Sequence, residues 1–195
     1  FTHLIPFAAG HEIIRQGRKE LHLIRMTPDL IYDQMIGMGC AGRLTFSWGG
    51  NPGVGSLHRL RDAVENQWPK ALALNEHTHA GMAAAYTAGA ARLPFGMLRG
   101  YIGTDLTHVN PRIKSVRCPF TDEDLTAIPA LNPDVTILHA QKADKKGNVL
   151  IEGITGAGRE AALAADKLIV SVEEIVADFP PMMNAVVLPH WLVSA

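Results

Sequence analysis

Cysteine is nearly absent from this sequence: Cys40 and Cys118 are the only two in 195 residues. Two thiols exclude a disulfide framework, and no CxxC pair exists to suggest a redox or zinc motif. Charge of one sign is also missing. Eighteen basic residues face nineteen acidic ones, for a formal net charge of −1. That balance gives no electrostatic footprint for nucleic acid or for an anionic membrane. No apolar run approaches the ~20 residues that span a bilayer. The opening, FTHLIPFAAGHEII, lacks a basic n-region and a small-residue cleavage site, so it does not read as a signal peptide. It also lacks an initiator Met, which points to a chain trimmed at its N-terminus. There is no internal repeat and no low-complexity tract. These absences together predict a cytoplasmic protein with no nucleic-acid or membrane partner. Apolar residues make up 47% of the chain, enough for a real core, and the length suits one domain over residues 1–195.

Strand-like and helix-like segments alternate, the signature of an α/β protein. Helices are predicted over Ala8–Gln16, from Thr27 to Ile36, over Ser56–Asn66, Thr78–Ala91 and Gly158–Ala165. In the second of these, Thr27, Pro28 and Asp29 read as N-cap, first-turn proline and first-turn acid. Strands are predicted at Glu20–Met26, Leu44–Trp48, Ala71–Asn75, Val135–His139, Val149–Ile151, Lys167–Val172 and Ala185–Leu188. Gly49–Gly55 reads as a loop. The Thr78 helix is rich in Ala and carries Gly81 and Gly89, a composition that suits close packing. Arg117–Pro133, with Pro119, Pro129 and Pro133 and the acidic cluster Asp122–Asp124, reads as a solvated surface segment with one helical turn.

Three places could carry chemistry. GGNPGVGS follows a strand and precedes a helix. Its Gly50, Asn51 and Gly53 would present backbone N–H groups to a phosphate near a helix N-terminus. It is neither a Walker A loop nor a GxGxxG, and a ligand-free tight turn explains it equally well. Asn75-Glu76-His77-Thr78-His79 lies at the carboxyl end of a predicted strand, where open α/β sheets bind ligands. A carboxylate there can act as base or acceptor, or can simply favour the following helix dipole. His77 and His79 lack the i, i+4 spacing of a helical zinc site, and no metal is expected. Arg99, flanked by Gly100 and followed by Gly103, is suited to clamp a carboxylate or phosphate; a salt bridge to Asp105 or Glu76 is the alternative. Both cysteines read as inert small residues, and His139 as a core histidine.

The run Asn132–Gly153, NPDVTILHAQKADKKGNVLIEG, resembles the α subunit of family I coenzyme A transferases. Further passages are similar to that family in the same order: Phe1-Thr2, IIRQG at Ile13–Gly17, AGAARLPF at Ala88–Phe95, GTDL at Gly103–Leu106, CPF at Cys118–Phe120, LIVSVEEI at Leu168–Ile175 and AVVL at Ala185–Leu188. Singly they are weak; together they cover nearly the whole chain. The family's glycine-rich first strand would lie just before Phe1.

The resemblance implies an open, mostly parallel sheet with helices on both faces, CoA transferase-like. It implies an obligate β subunit of the same fold, in a heterodimer or an α2β2 assembly. The covalent glutamate of the family is on that β chain, so no covalent nucleophile is expected here. Coenzyme A would arrive as part of an acyl-CoA substrate, with no permanently bound cofactor. Thr78 stands where a serine of the family's α chain contacts substrate, and Glu76 where several members are acidic. A branch of the family, the ring-opening hydrolases acting on a steroid-derived CoA thioester, has passages similar to EHTHAGM and LPF…LRGY. In that branch Glu76 would be the general base. A further alternative is a non-catalytic domain of the same fold that senses a ligand.

Overall fold

A computed structural model describes residues 4–51, 55–179 and 184–195. The first part alternates helix and strand: α1 (Phe7–Arg15), β1 (Leu21–Ile24), α2 (Leu30–Gly37), β2 (Ala41–Phe46), a short pair β3 (Gly50–Asn51) and β4 (Gly55–Ser56), α3 (His58–Glu65), β5 (Ala73–Glu76) and α4 (His79–Ala90). Next come β6 (Phe95–Leu98), α5 (Leu106–Val109), β7 (Lys114–Arg117) and β8 (Asp124–Pro129). The last part holds β9 (Val135–Asp144), β10 (Val149–Glu152), α6 (Gly158–Ala164), β11 (Lys167–Val176), β12 (Ala185–Leu188) and a 3-10 turn at His190–Leu192.

Parallel strands require long crossovers, and here helices supply them. β1, β2 and β5 form one parallel sheet in that order, joined through α2 and α3. β9 and β11 pair in parallel across α6, and antiparallel β10 and β12 extend that sheet in the order β11-β9-β10-β12. β6, β8 and β7 make a separate antiparallel sheet with β8 at its centre. The α/β class expected from the alternation is the class observed. Among the described residues, its parallel pairing is divided between two sheets.

Three apolar clusters follow this division. Leu23, Met35, Leu44, Phe46 and Leu60 bury between the first sheet and α2 and α3. Val149, Ile151, Leu168 and Leu188 form the core of the second sheet. Ala85, Tyr101, Ile113 and Ile128 join α4 to the third. Helix α4 is apolar and small all round, as a helix packed on several sides must be. Its Thr78 caps it, accepting the Gly81 N–H at 3.0 Å. A Cβ on Gly89 would lie 2.0 Å from the Leu131 carbonyl oxygen and 3.0 Å from Ala164 of α6. A Cβ on Gly96 of β6 would lie 2.7 Å from the Ala84 carbonyl oxygen. The glycines set these approach distances.

Several expectations are corrected. The Arg117–Pro133 segment is not an irregular surface stretch: β8 runs through it and buries Thr126 and Ile128. Threonine hides the alternation, because its hydroxyl reads as polar while its buried side chain donates to the Gly100 carbonyl at 2.7 Å. Asp29, not Thr27, is the residue before α2, and its carboxylate makes no cap bond. It is 1% exposed and answered by Arg25 at 3.3 Å. Burial pushes its pKa up, and the Arg25 charge opposes that push. The Gly49–Gly55 loop contains the β3–β4 pairing. β9 and β11 continue past His139 and Val172, because neighbouring strands satisfy the backbone even where the side chains are charged.

Gly89→Ala should destabilise the protein by about 1–3 kcal/mol, despite the ~1 kcal/mol that alanine adds to helix propensity. The urea midpoint reads this directly. An unchanged midpoint would mean that α4 and its neighbours can separate freely.

Candidate active site

The carboxyl ends of β1, β2 and β5 meet on one rim. Ser47 and Trp48, just past β2, both donate backbone N–H groups to the Met26 carbonyl, at 2.9 and 3.1 Å. The Ser47 hydroxyl donates to the same carbonyl at 2.7 Å. The His77 N–H, just past β5, donates to the Phe46 carbonyl at 2.8 Å. Thr27 Oγ1 and His79 Nε2 lie 3.2 Å apart. Beneath the rim, the fully buried Thr45 hydroxyl bonds His22 Nε2 at 2.8 Å and accepts from Asn75 Nδ2 at 3.1 Å, tying the three strands side to side. This rim is where a doubly wound sheet leaves room for a ligand.

A polar network fixes the corner from Glu76 to Thr78. The Thr78 N–H donates to the Tyr101 hydroxyl at 3.0 Å, and His77 Nδ1 lies 3.1 Å from the same oxygen. Asn110 Nδ2 donates to the Glu76 carbonyl at 2.7 Å and lies 3.4 Å from His77 Nε2. Asn110 Oδ1 accepts the Arg112 N–H at 3.0 Å, which fixes the amide's orientation. The second Nδ2 proton then faces His77 Nε2. By this network Nε2 is the acceptor, and Nδ1 carries the proton it gives to Tyr101. Burial holds His77 in its neutral form, with its pKa down at about 4, and the Arg112 charge pushes the same way.

Tyr101 reaches this corner through backbone geometry. Its φ is +74°, unusual for a bulky residue. Its hydroxyl occupies the space over Gly81, where a Cβ would lie 1.7 Å from the oxygen.

The expected site residues separate into two groups. Glu76 and Thr78 sit at the rim corner. The Glu76 side chain is exposed and forms no hydrogen bond or ion pair among the described residues. Thr78 uses its hydroxyl to cap α4, so the cap belongs to Thr78 and not to Glu76. The segment carrying Gly100 and Gly103 is brought to the corner by Tyr101 between them. Gly103 has φ +77° and open space around it, so backbone conformation is what requires glycine there. Arg99 points elsewhere: its guanidinium forks onto Glu123 at 2.7 and 2.9 Å, not onto Asp105 or Glu76, and it is 78% exposed. Gly50 and Asn51 form β3, beside the Ser47–Trp48 turn of the rim. Gly53 lies outside the described residues. The β3–β4 pairing stands between this turn and α3, so the glycines do not lead directly into a helix N-terminus as expected.

Among the described residues no group of three or more His, Cys, Asp or Glu is placed to hold a metal ion. No helix among them is long and apolar enough to cross a membrane. Asn110 and Tyr101 were not expected as site residues. The Asn110-Pro111 dipeptide is a local turn signal in the sequence, and such a signal carries no information about a distant partner.

The coenzyme A transferase family profile matches residues 2–195. The chain belongs to the coenzyme A transferase family. It is 66% identical, over all 195 residues, to the α subunit of 3-oxoadipate CoA-transferase of Pseudomonas knackmussii, of which it spans 69%. It is 28% identical to the α subunit of glutaconate CoA-transferase of Acidaminococcus fermentans, covering 89% of this chain and 58% of that one. The crystal structure of that transferase superposes with a TM-score of 0.81, over 90% of this chain and 60% of that chain. The AibA/AibB decarboxylase, in its C56S variant, superposes at 0.82 with 30% identity, over 97% of this chain and 70% of that one. The rim of this family member thus belongs to a fold that hosts more than one reaction.

Neutral His77 makes stability depend on pH. Its folded pKa lies below the ordinary value of 6.5. Below pH 6.5 the unfolded chain therefore takes up a proton that the folded chain refuses. This contribution is whole above pH 6.5 and is lost as pH falls toward 4. Urea midpoints of the wild type and His77→Gln, taken from pH 7.5 to 4, should converge as the pH drops. Parallel curves would mean that His77 is not buried neutral. Tyr101→Phe, which leaves two donors without an acceptor, should cost about 1–3 kcal/mol at pH 7.

Proposed function

We propose that this chain is the α subunit of a heteromeric CoA transferase that moves coenzyme A from an acyl-CoA thioester to a free carboxylic acid, with 3-oxoadipate or a closely similar dicarboxylic acid as acceptor. The observation that carries this reading is the 66% identity, along the whole chain, with the 3-oxoadipate CoA-transferase of Pseudomonas knackmussii. The partner is a β subunit, and the working site lies between the two chains, as ligand sites often do. The complex would work in the cytoplasm.

In this reading a β-chain glutamate attacks the thioester carbonyl. The carbon–sulfur bond breaks, leaving an acyl–glutamyl anhydride and CoA thiolate. The thiolate attacks the glutamyl carbonyl and releases the first acid as carboxylate, which leaves glutamyl-CoA. The acceptor carboxylate and CoA then repeat these steps in reverse order, restoring the glutamate. No oxidant and no net proton are needed. The α chain's task is to bind and orient. The Glu76–Thr78 corner lines the acyl side, with Glu76 shaping the pocket. Gly100 and Gly103 allow the chain to pass close to the acyl group. Backbone N–H groups of Gly50 and Asn51, in β3 beside the rim, would meet the phosphates of CoA; Gly53 keeps the same expected role but lies outside the described residues. Arg99, whose fork already fits a carboxylate in Glu123, would accept the remote carboxylate of a dicarboxylic substrate by exchange.

The alternative, a ring-opening hydrolase with Glu76 as base, draws on the exposed Glu76 carboxylate, which is free of a described ion-pair partner. One experiment separates the two. The chain is co-expressed with the product of the adjacent reading frame and given acyl-CoA labelled in its coenzyme A moiety, with and without 3-oxoadipate. Label moving to the acceptor, with Glu76→Gln retaining most of kcat, supports the transferase. Acceptor-independent loss of thioester that Glu76→Gln abolishes would overturn it.

Arg99→Ala should raise the KM for a dicarboxylic acceptor roughly tenfold and leave kcat nearly intact. The urea midpoint should not move, because an exposed ion pair contributes little to stability. An unchanged KM would remove Arg99 from the site.

A further inference from the structure

Two different pieces of chain bracket the Glu76 corner, and a single peptide group defines the two sides. The N–H and C=O of a trans peptide point in opposite directions. In the peptide joining Glu76 to His77, the N–H donates to the Phe46 carbonyl at the end of β2, at 2.8 Å. The carbonyl of the same peptide accepts from Asn110 at 2.7 Å. β2 therefore lies on one side of the corner. The 101–110 segment, with Tyr101 bonded to Thr78, lies on the other. The first side carries Trp48, just past the end of β2. Its backbone is fixed, because its N–H donates to the Met26 carbonyl at 3.1 Å. Its side chain rests on β3: a Cβ on Gly50 would lie 3.4 Å from the indole Nε1 and 3.5 Å from Cε2. Even so, the residue is 52% exposed. A tryptophan left half open forgoes much of the large apolar burial its ring can supply.

We propose, resting on the transferase reading above, that Trp48 is a specificity-determining residue: its indole is the wall on which the carbon stem of a dicarboxylic substrate packs, and it sets the stem length that the site accepts. A dicarboxylic acid has two charged ends and an apolar middle. Its reacting end must reach the partner chain's glutamate, and its remote end a cation. The methylene stem is what remains for this rim to recognise, and a flat apolar ring suits it. An indole has only two rotatable side-chain bonds, so it loses little entropy as a contact surface. Across the corner stand Gly100 and Gly103, and the space around Gly103 is open. The stem would pass between this glycine segment and the ring.

A docking surface for another chain would have a different composition. The core of a protein interface is a cluster of apolar side chains. The rim around Trp48 is polar, with Ser47 beside it and Glu76 and Thr78 at the end of the neighbouring strand β5. Ile102 and Val109, which are exposed and apolar, belong to the opposite bracket. One aromatic wall among a few polar groups is the composition of a small-molecule site. Shortening that wall would enlarge the site, so longer acids that the indole excludes would then fit.

Acceptor acids of graded length test this in the complex assembled with the partner chain. Trp48→Ala should raise the KM for 3-oxoadipate roughly tenfold and shift the preference toward longer diacids, such as pimelate and suberate, by about the same factor. Trp48→Phe, which keeps an aromatic wall, should restore most of the wild-type KM. The mass of the complex by light scattering should be the same in all three. A second measurement needs no turnover. With Trp68→Phe and Trp191→Phe in place, Trp48 is the only tryptophan of this chain. Adipate titrated into that complex should change its fluorescence saturably, and adding Trp48→Phe should abolish the change. A wild-type complex that moves no label to any diacid would sink the transferase reading, whereas an adipate signal from Trp48 would still support the wall. An unchanged order of chain lengths in Trp48→Ala, or fluorescence that adipate leaves unaltered, would overturn the proposal. So would loss of the complex in Trp48→Ala, since the indole would then be a contact of the partner chain.

Discussion

The architecture turns on how closely α4 can be approached. Three of its contacts exist because a side chain is missing or minimal: the Tyr101 hydroxyl over Gly81, the Leu131 carbonyl against Gly89, and Gly96 of β6 against the Ala84 backbone. Through them one helix holds the third sheet, α6 and the 99–105 segment. Interiors packed like crystals leave no slack for an added methyl group at such points. The candidate site depends on this closeness, because Tyr101 reaches Thr78 only while α4 lets it in.

The rim combines a rigid base with an open acid. Thr45, His22 and Asn75 tie the strands beneath it, and Asn110 and Tyr101 clamp the backbone on either side of His77. Glu76 projects from this clamped corner while its own carbonyl is held from behind. Residues that hold a site are numerous here, and residues with chemical reactivity are few. Such a division suits a chain whose contribution is to position substrate for a group carried by another chain.

Legibility in the sequence tracked the distance over which a feature is decided. The small-residue run of α4 and the Ala185–Leu188 strand are local patterns, and each appears in the structure where the residues predict it. β8 escaped because Thr126 and Pro129 blur its alternation, and because its stability comes from β6 and β7, both distant in sequence. The partner of Arg99 was misplaced for the same reason: Glu123 lies 24 positions away and is brought close only by the β6–β8 pairing. Glu76 and Thr78 were legible as a strand-end corner, whereas the groups that hold that corner, Tyr101 and Asn110, meet it only in three dimensions. Family resemblance read from short phrases succeeded where single motifs were weak, since it draws on their order along the whole chain.

The contact between Gly81 and Tyr101 also constrains how sequences of this kind can diverge. A Cβ at position 81 and a hydroxyl at position 101 claim the same volume, so neither residue changes neutrally alone. A lineage that gains a side chain at 81 must first, or together with it, give up the phenol at 101, and with it the acceptor for the Thr78 N–H. Position 81 therefore cannot gain a side chain while position 101 keeps its phenol, and glycine at 81 is the condition for holding the corner at Glu76 in the present way.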